Sequence, residues 1–196
     1  GEVNSRILGL YIVKQGQIEF SRGDYVRARS LYEEGHNMDS HIDICYKLIA
    51  DTYSAESELE YQKSSGDKDC EHITNAKELL SKALQMWIKY AQSRPAMSRT
   101  VMHLIKDSLF ALDRYSELEY VLKDLVERDS SNIAALINLA DYYSLQGENE
   151  KSNSLLDSLK DKDKESLLAR MVRLRIQFNI SEKVTSEMKD EFNNLT

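Results

Sequence analysis

The stretch that decides the fold is GLYIVKQGQIEFSRGDYVRARSLYEEG, residues 9–35. Its hydrophobic residues recur at helical spacing on both sides of Gly23, so it predicts two short helices joined by a turn at that glycine. Asp24 follows the turn and can accept hydrogen bonds from the free backbone N–H groups of the second helix. The small residues Gly16 and Ala28 allow the two helices to approach closely.

The same pattern returns in IAALINLADYYSLQG, residues 133–147. One frame fits both stretches and starts a unit at Gly9, Asp43, Arg99 and Ile133, with 34 residues between the first two and between the last two. A chain that repeats a helix pair is built by stacking, and it usually works as a surface. The repeat itself, and no single residue, therefore predicts a stack of helix pairs that acts as a binding surface.

Composition agrees with a helical chain that lies outside a membrane. The 196 residues are 41% hydrophobic and 30% charged, with one proline and seven glycines. Few helix breakers among many Lys, Glu, Leu and Ala favour an almost wholly helical protein. No apolar window approaches the roughly 18 residues of a membrane span, so none is predicted.

Charge and cysteine content narrow the function classes. A net charge of −7 makes nucleic acid an unlikely partner, because phosphate contacts require a basic surplus. The basic run over residues 160–175 is interleaved with acids and is typical of a solvated face. Cys45 and Cys70 have no CxxC spacing, which indicates free thiols in a reducing compartment, cytoplasmic or nuclear, with one disulfide as the alternative.

Motifs for catalysis are missing from the sequence. It has no Gly-rich phosphate loop, no GxSxG elbow and no paired histidine spacing for zinc. The abundant carboxylates of a helical protein usually face solvent. We therefore expect neither an enzyme nor a bound cofactor or metal ion.

The repeated residues resemble those of the tetratricopeptide repeat (TPR) family. The unit of that family is an antiparallel helix pair. Its first helix carries large, large, small and large residues in that order, and glycine and alanine stand where the two helices meet. The resemblance implies one all-α domain over residues 1–196, a right-handed α-α superhelix of such pairs. A generic helical bundle is the alternative. The implied boundaries are repeats at 9–42, 43–90 with an insertion near 60–70, 99–132 and 133–164, and a capping helix pair at 165–196.

The resemblance also implies a concave groove lined by the first helix of each repeat. Asp51, Asp107 and Asp141 recur at one groove position, as an acidic ladder that suits a peptide with Lys or Arg among apolar anchors. The alternative is that these carboxylates only solubilise the face or bond within the fold. The candidate partner-binding residues are Lys14, Gln17, Phe20, Lys47, Asp51, His103, Asp107, Phe110, Asn138 and Asp141.

These features predict a non-enzymatic protein–protein interaction module, a scaffold or adaptor that binds a peptide segment or a complex subunit. The alternatives are a helical-repeat RNA-binding module that uses residues 160–175, and a regulatory domain that senses a short peptide. Oligomeric state stays open, since Met188, Phe192 and Leu195 fit either a cap or a contact with another copy. The chaperone-tail clamp found in some TPR proteins is disfavoured, because acids occupy a position where it needs a neutral or positive group.

Overall fold

The computed structural model describes residues 2–64 and 71–195, with side chains described for residues 4–64, 71–182, 185 and 186. Every regular element in these ranges is a helix, which confirms the all-α class. The chain forms two compact units, Gly1–Leu118 and Glu119–Thr196. None of the described helices combines the length and the apolar character needed to cross a membrane.

The first unit is a series of helices in which each packs on the next. Two short 3₁₀ helices, Pro95–Thr100 and Tyr115–Glu117, flank its last α-helix. Its core cluster joins residues of α1, α2 and α3 with Ile42 before α3. The α-helices are α1 Glu2–Ser21, α2 Tyr25–Met38, α3 Ile44–Lys63, α4 Glu71–Ser93 and α5 Met102–Ala111.

The second unit holds α7 against α8 and packs the long helix α10 on both. Leu156, Ala169 and Val172 are fully buried in its core. The helix α6 begins at Leu118, the last residue of the first unit, and continues into the second. The helices are α6 Leu118–Arg128, α7 Ile133–Leu145, α8 Asn149–Asp157, α9 Asp161–Lys164 and α10 Leu167–Leu195.

Local chemistry sets the helix ends where the sequence predicted them. Gly23 has a φ of 82° in the turn between α1 and α2. The Asp24 carboxylate accepts a 2.9 Å hydrogen bond from the Arg27 backbone N–H. Asn132 caps α7 in the same way through the Ala135 N–H, at 3.1 Å. Proline has no N–H for an interior turn, and α4 ends at Ser93, two residues before Pro95.

The close approach predicted at Gly16 is confirmed. A Cβ added there would lie 2.6 Å from a ring carbon of Tyr32 and 3.2 Å from the Ala28 carbonyl oxygen. Tyr32 and Ala28 are themselves buried, at 1% and 0% exposure. Glycine is therefore required at this position because the tyrosine ring occupies the space that a side chain would need.

Two long helices border the insertion predicted near residues 60–70. α3 has 20 residues, as α1 has, and α4 has 23, and the insertion itself stays a prediction. The predicted turn from Ser64 onward, and Cys70 with it, lie outside the described residues except for Ser64 itself. The last turns of α3 bring Glu58 and Tyr61 beside α4 and α5, which matters for the groove described below.

Two features bear on the expected domain organisation. The boundary between the two compact units falls inside the stretch predicted as repeat 3, the least regular repeat in the sequence, and the single domain over residues 1–196 stays a prediction. The capping pair over residues 165–196 is the single helix α10, because neither glycine nor proline occurs between Leu167 and Leu195 to stop it. The superhelical arrangement stays a prediction.

The face of α10 that does not contact α7 and α8 is apolar, although a cap was expected to be polar there. Leu167, Met171, Leu174 and Phe178 are 75%, 49%, 65% and 61% exposed. The side chains of Met188, Phe192 and Leu195 lie outside the described residues.

Candidate functional site

A groove of about 560 Å³ lies between α3, α4 and α5 in the first unit. Its floor and walls are mainly apolar, and two carboxylates stand among the lining residues. A pocket with this mixture suits apolar side chains that are oriented by a few polar contacts. The lining residues are Asp51, Ser54, Ala55, Ser57, Glu58, Tyr61, Leu80, Trp87, Leu104 and Ala111.

Asp51 is the fixed polar group of this groove. Lys47, one turn earlier on α3, donates to the Asp51 Oδ2 atom at 2.6 Å. The Trp87 indole N–H, from α4, donates to the Oδ1 atom at 3.2 Å. Trp87 is only 2% exposed, whereas the Asp51 side chain is 26% exposed. Both oxygens are thus held in place while the carboxylate still faces solvent.

α5 contributes one wall and an exposed outer stripe. Leu104 and Ala111 line the groove, while His103, Asp107 and Phe110 are exposed on the same helix. Phe110 is 73% exposed, and its ring meets that of Tyr115 edge-on at 6.4 Å. An exposed aromatic beside an apolar groove is a typical anchor for a partner protein.

The α1 candidates lie apart from this groove. Lys14 and Gln17 are exposed and line a second, shallow depression of about 370 Å³ with Tyr11 and Ile18. Phe20 is half-buried and packs against the first core cluster, with its ring 5.1 Å from that of Tyr25. Its packing is that of a core side chain, which the sequence did not distinguish from a groove aromatic.

Asn138 and Asp141 belong to a buried network of the second unit. Each is 7% exposed. The Asp141 carboxylate accepts a short hydrogen bond from Arg175 of α10, whose guanidinium also donates to the Ser144 hydroxyl at 3.0 Å. Asn138 donates to the Ala134 carbonyl at 2.8 Å. This network ties α10 to α7, as the bonding alternative for Asp141 anticipated.

The three aspartates of the predicted ladder are therefore not equivalent. Asp51 is paired and partly exposed in a groove, Asp107 is exposed on α5, and Asp141 is buried against α10. The repeat pattern gives all three aspartates the same position within a repeat, but it does not say which helices pack beside each of them. Those neighbours decide how much of each carboxylate is accessible to a partner.

Sequence reasoning missed Trp87, Leu80, Glu58 and Tyr61 as lining residues of the groove. Leu80 and Trp87 stand on α4, outside the first-helix positions that the family pattern assigns to a groove. Glu58 and Tyr61 stand on the last turns of α3. One signal was present: Trp87 is the single tryptophan of the chain.

Two nucleophilic side chains of the first unit, those of Cys45 and Tyr32, are poorly placed for chemistry. Cys45 is a free, fully buried cysteine, and burial raises the pKa of its thiol to about 11. Burial likewise raises the pKa of Tyr32 to about 12. Both groups therefore stay protonated near neutral pH. Within the described ranges no three His, Cys, Asp or Glu side chains are grouped to hold a metal ion.

The basic run over residues 160–175 is partly neutralised inside the fold. Arg173 contacts the Asp157 carboxylate at 3.2 Å, and Lys164 lies 3.6 Å from Asp161. Arg175 is engaged by Asp141. The net charge of −7 remains the argument against the RNA-binding alternative, because exposed ion pairs such as these exchange readily with other charged groups.

Comparison with protein-family models, with curated proteins and with solved structures gave no match.

Proposed function

We propose that this chain is a non-enzymatic protein-interaction module that docks a segment of another protein in the groove between α3, α4 and α5. The observation that carries the proposal is the groove itself, with an apolar floor at Trp87 and Leu80 and with carboxylates at Asp51 and Glu58. We further propose that the helix pairs follow the superhelical arrangement of tetratricopeptide repeats, which would make this groove part of a concave face.

The size of the groove fits a few side chains of a partner segment. About 560 Å³ accommodates two or three apolar side chains of an extended or helical segment. Ala55 and Ala111 are small and leave room along the walls. The exposed Phe110 ring, on the same helix as the lining residues Leu104 and Ala111, offers a further apolar contact outside the pocket.

Charge favours a basic partner. The whole chain carries −7, and the groove lining contains two carboxylates and no Lys, Arg or His. Complementary charge mainly speeds encounter and selects the partner, while buried apolar anchors supply most of the affinity. A segment with cations flanked by large apolar residues meets both conditions.

The test is to block the groove without touching the core. Ala111 lines the groove and is exposed, so Ala111→Trp fills it from the rim. Ala96 is also exposed but is not among the groove-lining residues, so Ala96→Trp is the matched control. Partners captured from a cell extract by the wild-type chain are identified, and the affinity of each variant for them is measured by calorimetry.

Docking in the groove predicts that Ala111→Trp weakens binding at least about tenfold, since a filled pocket excludes the anchor side chain. Ala96→Trp should bind as the wild type does. Equal binding by wild type and Ala111→Trp would contradict the proposal and move recognition to another surface, such as the apolar face of α10.

A further inference from the structure

The groove carboxylate of Asp51 is already occupied by a cation of its own helix. The Lys47 ammonium lies 2.6 Å from Asp51 Oδ2, with the two side chains 29% and 26% exposed. We propose that Lys47 holds the place of a ligand cation, and that a Lys or Arg side chain of the docking segment displaces it from Asp51. This inference rests on the proposed docking function and names the chemistry of the partner: a basic side chain among apolar ones.

The Lys47–Asp51 pair is suited to exchange. The two residues stand four apart on α3, and such partly exposed pairs contribute little net free energy because water competes for both charges. Lys47 is not among the residues that line the groove, so its flexible side chain can turn to solvent without opening the core. An incoming cation replaces one ion pair with another, and the carboxylate never loses its counter-charge.

The Trp87 indole keeps the acceptor aimed while the cation changes. Its N–H holds the other oxygen, Oδ1, at 3.2 Å, and the ring is 2% exposed in the groove floor. The aliphatic stem of a visiting Lys or Arg can lie along this apolar floor while its charged end reaches Asp51. A cation with such a stem in the groove is better shielded from water than Lys47 is, and this strengthens its attraction to the carboxylate.

The ion pair between Arg175 and Asp141 differs from the Lys47–Asp51 pair, because it is built into the fold of the second unit. Its partner Arg175 comes from another helix, also bonds Ser144, and leaves the carboxylate side chain only 10% exposed. Removing Arg175 would take away the counter-charge of a buried carboxylate. Removing Lys47 leaves Asp51 with its Trp87 hydrogen bond and with access to solvent.

The test uses three pools of dodecapeptides that are degenerate except for a fixed central residue: lysine, leucine or glutamate. The pools are passed over immobilised wild-type chain, Lys47→Met, Asp51→Asn, Lys82→Met and the groove-blocked variant Ala111→Trp. Met keeps most of the aliphatic stem of lysine. Lys82 is the matched control, because it forms the same i, i+4 pair with Glu78 on α4, at 2.8 Å and outside the groove lining.

We expect the wild type to retain the lysine pool best. Lys47→Met should retain that pool about threefold better, as expected from releasing a weak competing ion pair. Asp51→Asn should abolish the preference for lysine over leucine, and Lys82→Met should behave as the wild type. Quenching or shift of the Trp87 fluorescence should follow retention, since this is the only tryptophan of the chain.

Two different failures are distinguishable. In the first, Lys47→Met retains the lysine pool no better than the wild type does, while Asp51→Asn loses the preference for lysine. This result would overturn the proposal that Lys47 holds the place of a ligand cation, and it would leave docking in the groove intact. In the second, Ala111→Trp retains every pool as well as the wild type does, which would overturn docking in the groove and that role of Lys47 together. A thermal melt of Lys47→Met that matches that of Lys82→Met shows that unfolding is not the cause of a change in retention.

Discussion

At the scale of single residues, the tightest constraint in the first unit is the contact between Gly16 and Tyr32. Alanine normally stabilises a helix interior relative to glycine, by up to about 1 kcal/mol. Here the added methyl group would lie 2.6 Å from the Tyr32 ring, so Gly16→Ala should instead destabilise the chain by about 1–3 kcal/mol. The measurement is urea unfolding, with the exposed helical residue Ser30 changed to Ala as control. A more stable Gly16→Ala variant would contradict this packing.

Glu119 provides a pH-dependent prediction at the same scale. The hydrogen bond from the Lys123 ammonium, and then that from the Tyr143 hydroxyl at 2.9 Å, lower the pKa of this carboxyl below its usual 4.5. A depressed folded-state pKa contributes stability that is present above the unfolded value and lost as pH falls through the folded value. Lys123→Met should therefore raise the Glu119 pKa toward 4.5, as measured by carboxyl ¹³C NMR titration. A pKa that does not rise would show that the ammonium is not the main cause.

Residue-scale features were predictable wherever the chemistry is local. Asp24 caps α2 by accepting from a backbone N–H three residues on, so its place after the turn at Gly23 identified it. Asn132 caps α7 over the same distance. The hydrogen bond between Asp51 and Trp87 joins residues 36 apart. It exists only because α3 and α4 pack together, and no local pattern encodes that geometry.

At the scale of helices, the Arg175 contacts with Asp141 and Ser144 add an ion pair and a hydrogen bond to the attachment of α10, beside its buried residues Ala169, Val172 and Ile176. Arg175→Met would leave the 7%-exposed Asp141 without its cation, which we expect to cost about 2–3 kcal/mol given the partial exposure of Arg175. The control Arg173→Met removes an exposed pair with Asp157 and should cost about 0.5 kcal/mol or less. Urea unfolding measures both variants. Equal losses would contradict the structural role assigned to Arg175.

Residues one period apart in the sequence need not be buried to the same extent, and this limits what the repeat pattern predicts for a helix. Cys45 and Thr52 are fully buried because α2 covers that face of α3. Tyr11 and Ile18, one 34-residue period earlier, are 62% and 43% exposed. Periodicity predicts which face of a helix is apolar, but only the neighbouring helix determines whether that face is covered.

At the scale of the whole molecule, the repeat frame predicted the all-helical class, but not the division into two units. The arrangement of the helices as repeat pairs stays a prediction. Repeat 3 has polar or large residues, Lys106 and Leu118, where its neighbours have small ones. Its first helix, α5, is correspondingly short, at ten residues. The predicted groove residues were likewise divided, since Asn138 and Asp141 belong to the second unit and Asp51 and Asp107 to the first.

The most direct measurement is the NMR signal of the single tryptophan indole N–H, recorded as a captured partner segment is added to the chain. Trp87 lies in the groove floor and donates to Asp51, so an occupied groove changes the environment of this proton. Docking as proposed predicts a saturable shift of the signal in the wild type and in Ala96→Trp, and none in Ala111→Trp, with the introduced tryptophans assigned separately. A partner that binds while the Trp87 signal stays unmoved would contradict the account.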